Sequence, residues 1–225
     1  MLNRSGNIAR DRVRLMGKRG QVSLEFMFVF ALMLVLLVYS VKNTTFDQGT
    51  VSADTLRVQI ALEEKNLANA ISNTINQVYS QGPGSKATTY IRLSYLRDPA
   101  YLEKVWNVKN PKVFITYGQL PGGPSGNGTY ITVTGTGFNL VLSGGDKNVL
   151  WSRSMYQAIL YGNQSVWSPR GSVSLGSSTV YGLEIDPTNL PVTLKIVVEW
   201  NPDSPDSWTF NSAKGELRIN ISPGE

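Results

Sequence analysis

The chain carries three successive patterns of apolar and polar residues, and the first is an unbroken apolar run at 26–41. Within this run only Tyr39 and Ser40 bear polar side-chain groups. Such density predicts a helix that is apolar on every face. At about 1.5 Å per residue it would span roughly 24 Å, against ~30 Å for a hydrocarbon core. A polar stretch that contains Gly49 follows, and there we expect the helix to loosen or kink.

The second pattern is a helical periodicity over residues 51–79. One apolar stripe recurs at spacings of three, four and seven residues and comprises Leu56, Ile60, Leu67, Ile71, Ile75 and Val78. Most charged residues avoid this stripe, so the spacing predicts an amphipathic helix that packs on the following domain. The Gly-Pro-Gly sequence at 82–84 ends the helix.

The third pattern, over residues 86–225, is the alternation typical of strands. It is clearest at 192–200 and 217–221, and glycine or proline recurs every 8 to 12 residues. Weaker candidates lie at 91–95, 113–117, 131–133, 138–142, 156–161 and 180–185. Asp98 followed by Pro99 predicts one short helical turn. The expected fold class is therefore α+β, with a long N-terminal α-helix before an antiparallel β-sandwich-like head of about eight to ten strands.

The net charge of +5, from 21 Lys and Arg against 16 Asp and Glu, is concentrated at one end of the chain. Residues 1–20 hold six bases and one acid, which leaves 15 bases and 15 acids in the other 205 residues. Because that remainder is neutral, no nucleic acid is expected as a partner. The absence of cysteine and histidine excludes disulfides, thiolate nucleophiles, Ser-His-Asp catalysis and His-ligated zinc.

A short motif lies between the basic leader and the apolar run. It consists of Lys18, Arg19, Gly20, Gln21, Ser23, Glu25 and Phe26. Bases that precede an apolar run hold the leader on the cytoplasmic side of a membrane. The order of these residues resembles the class III signal peptide of archaeal type IV pilins. The euryarchaeal variety has Gln, Ser and Glu at the first, third and fifth mature positions, and the resemblance covers residues 18–41.

This resemblance implies a structural role rather than an enzymatic one. A prepilin peptidase would cleave between Gly20 and Gln21, discard residues 1–20 and leave a helical stalk at 21–80 before a head at 86–225. The precursor would be held in the membrane and would then polymerise with other pilins through its N-terminal helix, which would form the membrane or filament core. The pilus assembly machinery is a further implied partner. Adhesion to a surface or a glycan, from the cell surface or an extracellular filament, is the expected purpose.

Glu25 is the charge that the motif places against the apolar run. Cleavage after Gly20 creates an amine on Gln21, about one helical turn from Glu25. In a bundle of such helices the carboxylate can pair with its own or a neighbour's amine, whereas an unpaired buried carboxylate is costly. We therefore expect Glu25 and Phe26 to act in assembly, with the ion pair setting the axial register. An N-terminal glutamine can also cyclise, and Glu25 would then need another donor.

Two other functions are compatible with the same sequence. The chain could be a membrane-tethered β-sandwich adhesin or carbohydrate-binding module that never polymerises. It could also be a secreted enzyme cut after Ser40, because Val38-Tyr39-Ser40 is a weak version of a small-x-small cleavage site. No spacing of carboxylates supports a catalytic pair, so we expect neither catalytic residues nor a cofactor.

Four Asn-x-Ser/Thr sequons that follow the basic leader are candidate sites of N-glycosylation, and they begin at Asn43, Asn127, Asn163 and Asn220. Asn127 lies in a glycine-rich loop at 121–128, and Asn220 lies on the polar side of a strand. Both are therefore expected to be accessible to solvent.

Two further groups of residues have a functional and a purely structural interpretation. Asp203 and Asp206 could hold calcium, but a proline turn with capping aspartates is the simpler interpretation, and no metal is expected. The five tryptophans could form a sugar-binding face, although aromatic residues in small β domains more often pack in the core.

Overall fold

The fold is known from a computed structural model that describes residues 25–39, 53–144 and 147–223. The chain divides into two compact units, Met1–Val51 and Ser52–Glu225. In the first unit the described residues form one helix, α1. The second, called the β unit below, contains the remaining helices and both sheets.

The described part of the β unit contains two α-helices and ten strands. The helices are α2 (Ala53–Gln81) and α3 (Pro99–Trp106). The strands are β1 (Lys86–Arg92), β2 (Lys112–Gly118), β3 (Gly128–Thr134), β4 (Leu150–Arg153), β5 (Trp167–Ser168), β6 (Arg170–Leu175), β7 (Ser178–Ile185), β8 (Thr193–Trp200), β9 (Ser207–Asn211) and β10 (Glu216–Ile221).

These strands form two five-stranded sheets. The order in the first sheet is β1-β8-β10-β9-β5, and the order in the second is β4-β3-β2-β7-β6. Every strand pair of the second sheet is antiparallel, whereas in the first sheet β8 runs parallel to β10 and β5 runs parallel to β9. Strand β10 lies between β8 and β9, with Leu217 opposite Ile196 on one side and Phe210 on the other.

Helix α2 packs against both sheets through the stripe that the sequence predicts. All six members of that stripe are buried, at 0–1% exposure. The helix contacts β1 and β8 of the first sheet and β3 and β4 of the second. Leu67, Ile71 and Ile75 belong to one apolar cluster that includes residues from both sheets. Full burial of an aliphatic side chain contributes roughly 1.5–3 kcal/mol, so this stripe holds α2 firmly on the sheets, and the packing prediction is confirmed.

A second, smaller core lies on the opposite face of the second sheet. Phe114 of β2 and Val180 of β7 pack there with Leu140 and Leu142. Because both faces of this sheet are covered, all seven residues of β3 are buried. Such a strand does not show the half-exposed alternation that a one-sided sheet produces.

The predicted fold class is wrong in two respects. The described residues contain no long N-terminal helix, because α1 is described over 25–39 and the next described helix begins at Ala53. At 1.5 Å per residue the described part of α1 is about 22 Å long, and none of the described helices is both long and apolar enough to cross a membrane. The sheets are also not uniformly antiparallel. Alternation along a strand records which face is buried, and it does not identify the neighbouring strand or its direction.

Two of the predicted strands are loops that cover the sheets. Residues 138–142 make one isolated bridge, between Asn139 and Ser174. Residues 156–161 belong to no strand, and the N–H of Leu160 donates to the carbonyl of Tyr117. Their alternation arises because a loop lying on a sheet also turns every second side chain toward the core.

Candidate processing and assembly segment

The predicted processing motif meets the described structure only at its last two residues. The prediction at Lys18, Arg19, Gly20, Gln21 and Ser23 lies outside the described residues, as does the sequon at Asn43. Glu25 is the first described residue of α1, and Phe26 follows it. The Glu25 side chain is exposed.

Helix α1 presents apolar side chains on every face. Thirteen of its large apolar side chains are 47–70% exposed, and these belong to Phe26, Met27, Phe28, Val29, Phe30, Leu32, Met33, Leu34, Val35, Leu36, Leu37, Val38 and Tyr39. Phe26 and Phe30 lie one turn apart and stack with ring centroids 6.5 Å apart. A helix that is apolar all round is normally covered by protein or lipid, so α1 is a candidate association segment.

The expected accessibility of two sequons is wrong. Asn127 and Asn220 are each 4% exposed. The Asn127 Nδ2 donates to the carbonyl of Ala158 at 2.9 Å. The Asn220 Nδ2 donates to the carbonyls of Ser204 at 2.8 Å and Pro205 at 2.9 Å. Both amides therefore form hydrogen bonds that stabilise the fold. The sequence suggested exposure only because Asn127 lies in a glycine-rich loop and Asn220 lies on the polar side of a strand.

Asn163 is the third sequon in the described residues, and its side chain is exposed. It caps a short 3-10 turn at Gln164–Val166. Its Oδ1 accepts a hydrogen bond from the N–H of Ser165 at 3.0 Å and another from the Ser165 hydroxyl at 2.8 Å. Asn163 thus differs from Asn127 and Asn220 in both exposure and hydrogen bonding.

Asp206, one of the two carboxylates considered for calcium, acts as a hydrogen-bond acceptor in the fold. Asp206 accepts from the Tyr156 hydroxyl at 2.8 Å and from the Ser222 N–H at 3.0 Å. Burial and then the nearby Asp206 charge raise the pKa of Tyr156, so its hydroxyl stays protonated and donates. The described residues contain no group of three or more potential metal-ligating side chains. Asp203 and Asp206 are therefore not joined by a third acidic side chain within the described residues.

The tryptophans lie mainly in the core rather than on a binding face. Trp208 is fully buried and Trp167 is 4% exposed, with their rings 5.2 Å apart. Trp200 stacks on Tyr79 of α2 at 5.8 Å. Trp106 is half-buried beneath the guanidinium of Arg57, at 4.9 Å. These contacts favour the packing interpretation of the aromatic residues.

One cleft of about 550 Å³ opens beside an ion pair between Lys112 and Asp186. Hydrogen bonds from Lys112 and Thr188 lower the pKa of Asp186 to about 2. Glu184 and Phe210 also line this cleft. The ion pair is partly exposed, so its net contribution to stability is small, about 0–1 kcal/mol.

Glu64 is a buried acid that the sequence reasoning missed. It is 2% exposed on α2, and its Oε1 has no hydrogen-bond partner within the described structure. Burial raises the pKa of this carboxyl to about 8. A signal was present in the sequence, because Glu64 falls between Ile60 and Leu67, where the seven-residue gap in the stripe needs an inward-facing residue.

The described residues thus define a two-sheet β unit that carries its own packed helix, together with a separate short apolar helix. Comparison with family models, with curated proteins and with solved structures gives no match.

Proposed function

We propose that this chain is a structural subunit of a type IV pilus-like surface filament that serves in adhesion. It is made as a membrane-associated precursor, and a prepilin peptidase removes residues 1–20 by cleaving between Gly20 and Gln21. The mature subunit then associates with other copies or related pilins through α1, with help from the pilus assembly machinery. The β unit faces outward from the filament.

The observation that carries this proposal is the exposed apolar surface of α1, whose first described residues, Glu25 and Phe26, are the last two of the motif. Its side chains are exposed by about half or more. Covering the remaining surface would contribute on the order of 1 kcal/mol for each large side chain, given 1.5–3 kcal/mol for full burial. Thirteen such residues provide a strong drive to associate, and copies of the same helix are the partners that processing would supply.

The distribution of charge along the chain supports cleavage of the leader before assembly. The leader holds the entire net charge of +5, and the residues after Gly20 carry equal numbers of acids and bases. Removal of the leader therefore leaves neutral subunits, which do not repel one another through net charge. It also creates the Gln21 amine, which is a pairing partner for Glu25 when α1 is covered by other copies.

The test starts with the N-terminus of the protein isolated from the cells that make it. We expect a mature chain that begins at Gln21, with its glutamine either free or cyclised. Negative-stain images of this form should show filaments. A chain that begins at Val41 would indicate ordinary secretion, and an intact Met1 would indicate a tethered module. Monomers of the Gln21 form would contradict the filament proposal directly.

A pair of variants tests the role of the Glu25 charge within that proposal. Glu25→Leu should still insert in the membrane but should fail to assemble, because the amine at Gln21 loses its partner. Glu25→Asp keeps the charge and should retain at least part of the assembly. Normal filaments from Glu25→Leu would remove the ion pair from the mechanism.

A further inference from the structure

We propose that Asn163 carries an N-linked glycan and that the sequons at Asn127 and Asn220 remain unmodified. The inference rests on the proposed export of the β unit, because sequons are modified outside the cytoplasm. Within the described residues these are the three sequons. The burial and hydrogen bonding of the three asparagine side chains differ enough to distinguish a modified sequon from unmodified ones.

Asn127 and Asn220 cannot accept a glycan without damage to the fold. Each is 4% exposed, and the nitrogen that would bear the sugar already donates to a backbone carbonyl, that of Ala158 for Asn127 and those of Ser204 and Pro205 for Asn220. Glycosylation replaces one of the two amide hydrogens, so the Asn220 nitrogen, which donates to two carbonyls, would lose a hydrogen bond. At both buried positions the glycan would also need space for a large polar group. Leaving buried acceptors unpaired is costly, so a glycan added before folding would also oppose folding.

Asn163 has the opposite arrangement. Its side chain is exposed, and both of its hydrogen bonds from Ser165 are accepted by Oδ1. None of the hydrogen bonds in the described part of the chain uses the Asn163 Nδ2 as a donor. The hydroxyl that defines the sequon lies 2.8 Å from the amide oxygen. The amide is therefore held by its oxygen, and its nitrogen is available for modification.

The surroundings of Asn163 present this amide on a fixed loop with open space beside it. Its N–H donates to the carbonyl of Leu160 at 3.0 Å. The middle residue of the sequon, Gln164, is tied down because its amide nitrogen donates to the Tyr181 hydroxyl at 2.8 Å and its oxygen accepts from Arg170 at 3.1 Å. A Cβ built at Gly162 would meet nothing within 4 Å. Gly162 and Asn163 are thus both exposed at this point of the loop.

The modification is a glycosyl transfer, and a membrane oligosaccharyl transferase catalyses it. The glycosyl donor is an oligosaccharide linked through phosphate to a lipid. A bond forms between the Asn163 Nδ2 and the anomeric carbon of the sugar. The bond between that carbon and the phosphate oxygen breaks, and the lipid phosphate leaves. The amide nitrogen gives up one proton, so no oxidant or reductant is required.

Tryptic mapping of the protein from the cells that make it tests this proposal, because each sequon falls in a separate peptide. The peptides are 43–57 for Asn43, 113–147 for Asn127, 154–170 for Asn163 and 219–225 for Asn220. We expect 154–170 to carry a glycan mass and both 113–147 and 219–225 to have their unmodified masses. An unmodified 154–170, or a glycan on 113–147 or 219–225, would overturn the proposal.

Substitutions at Ser165 provide matched variants at an exposed position. Ser165→Ala removes the sequon hydroxyl and should abolish the glycan mass on 154–170, whereas Ser165→Thr keeps a hydroxyl and should retain it. Retention of the glycan in Ser165→Ala would overturn the assignment. The N-terminal peptide of the same digest, 21–42 if the leader is removed, reports on export separately. If peptide 154–170 is unmodified and the chain begins at Gln21, the glycan proposal is wrong but the proposed function is not contradicted.

Discussion

Replacing Glu64 with glutamine should remove a strong pH dependence from the stability of the β unit. Burial raises the pKa of this carboxyl from 4.5 to about 8, and a backbone hydrogen bond at Val133 acts in the opposite direction. Between these two values the folded state keeps a proton that the unfolded chain has released. The favourable contribution is complete below pH 4.5 and is lost as the pH rises through about 8.

The size of the effect follows from the separation of the two pKa values. They differ by about 3.5 pH units, and each unit corresponds to about 1.4 kcal/mol. The free energy of unfolding should therefore fall by roughly 5 kcal/mol across this window. With a urea dependence of about 2 kcal/mol per molar, the urea midpoint would fall by roughly 2 M. That change is large compared with a total stability of about 5–15 kcal/mol.

Tryptophan fluorescence is a suitable assay, because all five tryptophans lie in the β unit and none lies in α1. Urea titrations of the full chain in a non-ionic detergent, at several pH values between about 5 and 8, should give a wild-type midpoint that falls steadily. The midpoint of Glu64→Gln should stay nearly constant. Glu103→Gln, at an exposed position of α3, is the matched control and should keep the wild-type slope. A Glu64→Gln midpoint that falls as steeply as wild type would refute the reasoning.

Two more substitutions examine contacts within the β unit. Glu63→Ala removes a carboxylate that accepts backbone N–H groups at 94–96 over 2.7–2.9 Å. It should lower the free energy of unfolding by about 1–3 kcal/mol in urea, whereas Glu103→Ala should not. Gly128→Ala would place a Cβ in steric clash with the Ser152 carbonyl oxygen and should lower the melting temperature measured by circular dichroism. An unchanged melting temperature would contradict the close approach of β3 and β4.

The features of the β unit that could be predicted from the sequence are those that depend on residues close together in the chain. The stripe of α2 is buried as its spacing requires. Asp98 caps α3 because its side chain accepts from the N–H of Ala100, with Pro99 at the first helical position. Strands β8 and β10 coincide with the two clearest alternations. In each case neighbours in sequence determine the outcome.

The parts that could not be predicted depend on which segments meet in space. The insertion of β10 between β8 and β9 leaves no mark on the alternation of any of these strands. The burial of Asn220 depends on the turn that carries Ser204 and Pro205 beneath its amide. The burial of Glu64 conflicts with the ordinary preference of acids for solvent. These positions are decided by tertiary contacts, which a pattern along one segment does not contain.

The two units differ in how much of their apolar surface they bury. This difference supports the proposal that α1 is the segment that assembles. The β unit buries its core with its own helix α2 and both sheets, and its large exposed apolar residues are few, such as Met155 and Ile159. In α1 thirteen large apolar side chains remain about half exposed or more. Residues 25–39 are therefore expected to associate with partner molecules through apolar contacts, whereas the β unit is not. Substitutions in α1 should for this reason change association without changing the unfolding of the β unit.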